Sequence, residues 1–218
     1  MAKKPLPVPP RPAPQLYLVT PPFTDAAAFL SDLSTALEAA PVAAVLLRLA
    51  PADERTMINR IKAIAPRVQQ ANAALMVDGH PDLVDRGGAD GAQLPNVDDL
   101  LAVLSQLKPD RIAGAGGLAT RHDAMVAAEA GADYVMFGEP DAAGERPGFA
   151  AVEERVAWWA EVFEAPCVGY AGALDEVASL VAAGADFVAV GEFIWTDPAG
   201  PGAALRAAHA QLALEAVE

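Results

Sequence analysis

A closed (β/α)8 barrel is the fold this sequence predicts, and three observations predict it. The chain has 218 residues, 53% apolar and 20% charged, enough for one large folded core. Short apolar runs alternate with segments of helical apolar spacing, the pattern of parallel strands and their crossover helices. One phrase also recurs: Gly131 to Glu139 reads GADYVMFGE and Gly184 to Glu192 reads GADFVAVGE, with the fragment Gly88-Ala89-Asp90-Gly91 ahead of both. An open, doubly wound sheet is the alternative arrangement of the same elements.

The elements follow in order. Residues 1–14 form a proline-rich arm. Lys3 and Lys4 are followed by prolines rather than an apolar core, so this reads as an extended surface arm and not a signal peptide. The barrel domain is 15–218, beginning with a strand at 16–20 and a helix at 25–39. The next strand–helix pairs are 43–49 with 52–70, 74–78 with a short helix at 81–86, and 91–95 with 97–107. They continue with 111–115 and 120–130, 134–138 and 149–163, 167–171 and 174–183, then 187–191 and 201–216.

The recurring phrase is the joint between a helix and the next strand. Alanine-rich helical spacing runs up to Gly131 and Gly184, where glycine supplies a left-handed stop. Ala-Asp then makes a short turn, and a compact apolar run follows, as in strands buried on both faces. In a barrel the chemistry lies at the C-terminal strand ends. Glu139 and Glu192 therefore stand at the mouth, and folding alone gives no reason for their charge.

Lys and Arg number 15 against 29 Asp and Glu, a net charge of −14 that disfavours nucleic acid and anionic membranes. No apolar run approaches the roughly 18 residues of a membrane helix. Cys167 is the one cysteine, so no disulfide forms within the chain and a reducing cytoplasm is expected. It lies in an apolar strand and reads as core. Trp158 and Trp159 are adjacent and cannot share one buried face, so one is expected partly exposed, over the barrel or at a homodimer interface. No Gly-x-Ser-x-Gly elbow, Walker loop or zinc spacing occurs.

With the strand ends placed, the chain resembles the thiamine phosphate synthase family. The resemblance rests on Leu16-Tyr17-Leu18-Val19-Thr20-Pro21, Ala89-Asp90-Gly91, Gly131-Ala132-Asp133-Tyr134-Val135 and Ala183-Gly184-Ala185-Asp186. It covers nearly everything after the arm, and it carries mostly scaffold motifs. It implies a transferase that joins a pyrimidine methyl pyrophosphate to a thiazole phosphate. It also implies Mg2+ and cations at the pyrophosphate, backbone N–H groups at the thiazole phosphate, and small phosphorylated substrates as partners.

Carried over by position, the resemblance retains some site residues and replaces others. Where the family's second strand reads Gln-x-Arg-x-Lys, this chain has Leu46, Arg48 and Ala50. A lone arginine in an apolar strand needs a partner, so Arg48 is read as a pyrophosphate residue or as half of a structural ion pair. Where the third strand ends Asn-Asp, Asp78 takes the Asn place and Gly79 that of the metal carboxylate. Asp78 is then the candidate for pyrophosphate and metal, although a one-residue slide would flip its face. His80 beside it is read as solvated or as a ligand.

Asp98 matches the second metal carboxylate and equally suits the first turn of a helix. Gly116 and Gly117 stand where the family has a serine. In the sixth loop, which in the family closes over the pyrophosphate, the threonines become Ala143 and Glu145, Arg146 takes the lysine place as a pyrophosphate-binding cation, and Glu139 and Asp141 add negative charge. Gly172 is kept in the phosphate cup and Gly191 ends the eighth strand, but Glu192 stands where a serine would donate to phosphate. Two readings stay open at this point. One is a divergent synthase. The other is a lost or repurposed barrel whose acidic mouth takes a cation, a metal without phosphate, or a basic protein segment.

Overall fold

In the computed structural model, which describes residues 12–213 apart from 142, eight parallel strands close into a barrel in chain order. They are β1 (Gln15–Val19), β2 (Ala44–Leu47), β3 (Ala74–Asp78), β4 (Gly91–Leu94), β5 (Ile112–Ala115), β6 (Tyr134–Phe137), β7 (Cys167–Ala171) and β8 (Phe187–Val190). The helices are α1 (Ala26–Ala39), α2 (Glu54–Gln70), α3 (Val84–Gly87), α4 (Val97–Leu107), α5 (Arg121–Ala130), α6 (Phe149–Val162), α7 (Glu176–Ala182), α8 (Glu192–Trp195) and α9 (Pro201–Gln211). The β1–β8 pairing, Leu16 to Val188 and Tyr17 to Ala189, removes the open-sheet alternative.

Most predicted elements recur with small shifts. The second strand is shorter than 43–49, because beyond Leu47 only Leu49 bridges, to Phe23. α8 had no counterpart in the sequence reading. Residues 1–11 of the expected arm, 214–216 of the last helical segment and the two that follow lie outside the described residues. Helix starts have local causes: Asp25 accepts from Ala27 and Ala28 N–H, Asp53 from Thr56, and Thr120 with Asp123 forms a reciprocal cap.

Two apolar layers hold the barrel. Between strands and helices lies the larger, with Leu16, Leu18, Val45, Ile61, Phe137 and Trp159 all buried. Trp159 is fully buried, whereas Trp158 is half-buried beneath Arg121, as adjacent helix positions require. Inside the barrel, inward residues two apart on each strand fill the axis, among them Tyr17, Leu46, Met76, Met136, Val168 and Tyr170. One polar chain runs through this interior. The Tyr17 and Tyr134 hydroxyls are 2.7 Å apart, and Tyr134 donates to buried Gln93 Oε1 at 3.0 Å.

The recurring phrase has a structural half that the sequence reading saw only as a turn. Asp90 Oδ2 accepts from Leu75 N–H at 2.7 Å, Asp133 Oδ2 from Ala113 at 2.7 Å, and Asp186 Oδ2 from Cys167 at 2.8 Å. Each aspartate thus clamps the start of the preceding strand while its own strand begins. Charge-assisted bonds to backbone N–H groups are among the stronger ones available.

Candidate active site

The C-terminal strand ends open into two adjoining cavities. One, of about 570 Å³, is lined by Arg48, Asp78, Gln93, Gly117, Glu139 and Asp141. The other, of about 460 Å³, is lined by Thr20, Arg48, Tyr170, Gly191, Glu192 and Trp195. Arg48, Pro22, Pro140 and Asp141 belong to both. The first cavity lies on the β3–β6 side and the second on the β1, β7 and β8 side.

Arg48 follows directly from β2, on the face of Leu46. Its backbone N–H donates to Thr20 Oγ1 at 3.0 Å, and its Nε to Asp78 Oδ2 at 3.2 Å. Asp78 therefore faces inward, as does Met76 two residues earlier. Burial raises its carboxyl above the ordinary range, and Arg48 opposes that rise. Gly79 turns the chain after β3 with φ of 70°. His80 begins the short turn that follows.

Glu139 is half-buried at the end of β6. Gly117 N–H donates to its Oε1 at 2.6 Å. The glycine patch is shaped around this contact. A Cβ on Gly116 would lie 2.5 Å from Glu139 Oε1, and one on Gly117, at φ of 59°, would lie 1.8 Å from the Pro95 carbonyl oxygen. Burial pushes Glu139 up to about 7, with the Gly117 N–H opposing. Its carboxyl thus changes charge near neutrality.

Arg146 is committed internally. Its Nη1 donates to Glu176 Oε2 at 3.0 Å, its Nη2 to the Tyr170 carbonyl at 3.1 Å and its Nε to the Gly138 carbonyl at 3.4 Å. Gly172 N–H donates to the same Glu176 oxygen at 2.6 Å. Arg146 and Glu145 line a third cavity of about 410 Å³, which also touches Glu139. Ala143 and Glu145 give their N–H groups to Asp141 Oδ1 at 2.8 and 3.0 Å, so Asp141 pins this loop. Asp98 is exposed in the first turn of α4 and lines a separate cavity of about 430 Å³ with Asn96 and His122.

The structure therefore brings Arg48, Asp78, Glu139, Gly191 and Glu192 to one mouth and leaves Asp98 outside it. Four residues with polar side chains at this mouth or beneath it escaped sequence reasoning: Glu176, Tyr170, Gln93 and Thr20. Gln93 had a signal, a polar residue amid an apolar strand. Glu176 had none, since it reads only as a helix start.

Among the described residues no three His, Cys, Asp or Glu side chains converge as a metal cluster. Magnesium needs only one or two protein carboxylates when water and substrate phosphate oxygens complete its shell. Asp78 and Glu139, lining one cavity, fit that demand.

The two-lobed mouth lies at the C-terminal strand ends of a closed (β/α)8 barrel, where enzymes of this fold carry their active sites. A family profile described as thiamine monophosphate synthase matches residues 16–194. The thiamine-phosphate synthase of Rhodospirillum centenum (strain ATCC 51521 / SW) is 41% identical over 194 residues, 88% of this chain and 94% of that one. The thiamine-phosphate synthase of Hyphomonas neptunium (strain ATCC 15444) is 37% identical over 210 residues, 92% of this chain and 95% of that one. In fold, the thiamine phosphate pyrophosphorylase of Pyrococcus furiosus matches with a TM-score of 0.75 at 23% identity, over 91% of this chain and 95% of that one. The chain belongs to the thiamine-phosphate synthase family, transferases of thiamine biosynthesis. No helix among the described residues is long and apolar enough to cross a membrane.

Proposed function

We propose that this mouth joins a pyrimidine methyl pyrophosphate to a thiazole phosphate, with the pyrimidine half in the cavity of Asp78 and Glu139 and the thiazole half in that of Tyr170 and Gly191. The observation that carries the assignment is Arg48, which stands on the wall common to both cavities. The bond between the pyrimidine methylene and the pyrophosphate oxygen breaks, and its electron pair leaves with pyrophosphate. The thiazole nitrogen then donates its lone pair to the methylene carbon, forming the new C–N bond.

Arg48 binds the departing pyrophosphate by charge-assisted hydrogen bonds. Asp78 is the carboxylate that would hold Mg2+ in this cavity, and the ion would supply charge neutralisation for the leaving group. Glu139, in its ionised form, faces the cation left on the pyrimidine and opposes its charge across a half-buried cavity. Backbone donors around Gly172 and Gly191 receive the thiazole phosphate. Arg146 holds the β6–α6 loop against the end of β7.

One observation favours the second reading, a barrel repurposed for a cationic ligand: Arg48 and Arg146 are each already paired, with Asp78 and Glu176. A direct synthesis assay with Mg2+ and both substrates separates the two. Thiamine phosphate formation dependent on Arg48 supports the synthase reading, and its absence from folded protein removes it.

A further inference from the structure

We infer that Glu176 is a specificity determinant of the phosphate seat: its carboxylate occupies the donors that a phosphorylated tail must take over. The inference deepens the synthase reading and rests on it for the identity of the tail. Its geometry stands apart from that reading.

The Glu176 carboxylate receives Gly172 N–H at 2.6 Å and Arg146 Nη1 at 3.0 and 3.3 Å. A backbone N–H together with a guanidinium is the pair of donors that holds a phosphate oxygen. The Arg146 and Glu176 side chains are 23% and 18% exposed, so their pairing is only weakly screened by solvent. A Cβ at Gly172 would lie 1.7 Å from Arg146 Nη1, so the internal pair itself requires glycine there. The neighbouring backbone donor, Glu192 N–H, lies against the Tyr170 hydroxyl. Side chains of this chain therefore already sit on both donors of the cup.

A phosphate and the Glu176 carboxylate cannot share Gly172 N–H and Arg146, because like charges in contact repel. A phosphorylated tail must push Glu176 aside before it can use those donors. An uncharged hydroxyl tail meets no such demand. Glu176 thus narrows the preference of the cup for a phosphate ester over the corresponding alcohol. Removing its charge loosens its hold on the Arg146 guanidinium and takes away the repulsion that an incoming phosphate meets at Gly172 N–H.

Two substitutions separate charge from packing. Glu176→Gln keeps an acceptor for Gly172 and removes the charge; Glu176→Ala removes both. Calorimetric titration of the full chain with inorganic phosphate, thiazole phosphate and the unphosphorylated thiazole alcohol, at matched salt, compares them with the parent. Circular dichroism checks folding, and Glu176→Gln decides alone if Glu176→Ala does not fold. The expected result is about tenfold tighter binding of both phosphates by Glu176→Gln, with the alcohol changed by less than about twofold. Phosphate affinity that is equal or weaker in the folded variants overturns the inference and makes Glu176 a support for Arg146. A parent protein without synthase activity whose Gln variant still gains phosphate affinity removes the synthase reading and keeps the role of Glu176. An active parent with no such gain removes the role of Glu176 alone.

Discussion

The two rims of the barrel use the same repeated phrase differently. At the N-terminal rim its aspartates do one thing three times: Asp90, Asp133 and Asp186 each accept one N–H from the first or second residue of the preceding strand. At the mouth its glutamates diverge. Glu139 is half-buried and bound by Gly117, whereas Glu192 is exposed and starts α8. Every parallel joint poses the same backbone problem, so the N-terminal solution repeats. The mouth faces a ligand that differs from strand to strand, so nothing holds the copies together there. Substitutions at the N-terminal rim should then act on stability and leave binding alone, whereas substitutions at the mouth should change binding, with any stability effect following the burial of the group replaced.

The largest expected effect is at the mouth. Arg48→Ala should weaken pyrophosphate binding in the presence of Mg2+ by about 2–3 kcal/mol, the range for charge-assisted hydrogen bonds. Isothermal titration measures it. Unchanged affinity would remove Arg48 from the pyrophosphate and leave it as half of an ion pair with Asp78. Asp186→Ala tests the opposite rim. It removes the carboxylate that accepts from Cys167 N–H at the start of β7 and should cost about 2 kcal/mol in urea unfolding, with pyrophosphate affinity unchanged. A loss of ligand binding with intact stability would invert the comparison.

The same contrast explains what the sequence made legible. Strand and helix order could be read because burial on both faces forces apolar runs, and joints force glycine. Arg48 was visible because a charge inside an apolar strand has few explanations. The aspartate clamps were hidden, since their partners lie 15 to 20 residues upstream on another strand. Glu176 was hidden for the same reason: it meets Arg146 across 30 residues. α8 spans four residues, too few to show a period. Asp98 was matched by motif, but the turn into α4 carries it to a neighbouring cavity. Gly116 and Gly117 stand where the family has a serine; in the fold Gly116 makes room for the Glu139 carboxylate and Gly117 for the Pro95 carbonyl.

Glu139 gives a smaller effect with a defined sign. Its carboxyl is raised from 4.5 to about 7 by burial. Between those values the unfolded chain has lost the proton and the folded chain keeps it. The contribution to stability is fully present below the unfolded value and is lost as pH rises through about 7. Glu139→Gln carries no such proton. Relative to the parent, it should gain about 1–2 kcal/mol of stability between acid and pH 8, the shift being discounted for partial exposure. Urea unfolding at several pH values tests this. Parallel curves for the two proteins would mean that Glu139 titrates as an ordinary carboxylate.

The smallest expected effect is at Glu192, and it sharpens the comparison most. Glu192 is exposed at the start of α8, beside Gly191 and the Tyr170 hydroxyl. A phosphate seated on these backbone donors would face its carboxylate. Glu192→Ser removes the repulsion and adds a hydroxyl donor. Solvent screens an exposed charge, so the gain in thiazole phosphate affinity should be only about 0.5–1 kcal/mol. It should shrink further at high salt, because the screening length falls. The gain from Glu176→Gln should persist better, because that carboxylate is less exposed. Calorimetry at two ionic strengths distinguishes the two glutamates. If Glu192→Ser instead weakens binding, the carboxylate is helping the ligand through a bridging cation or a cationic group. The acidic half of the repeated phrase would then be a ligand contact, with a function as definite as that of the aspartates on the other rim.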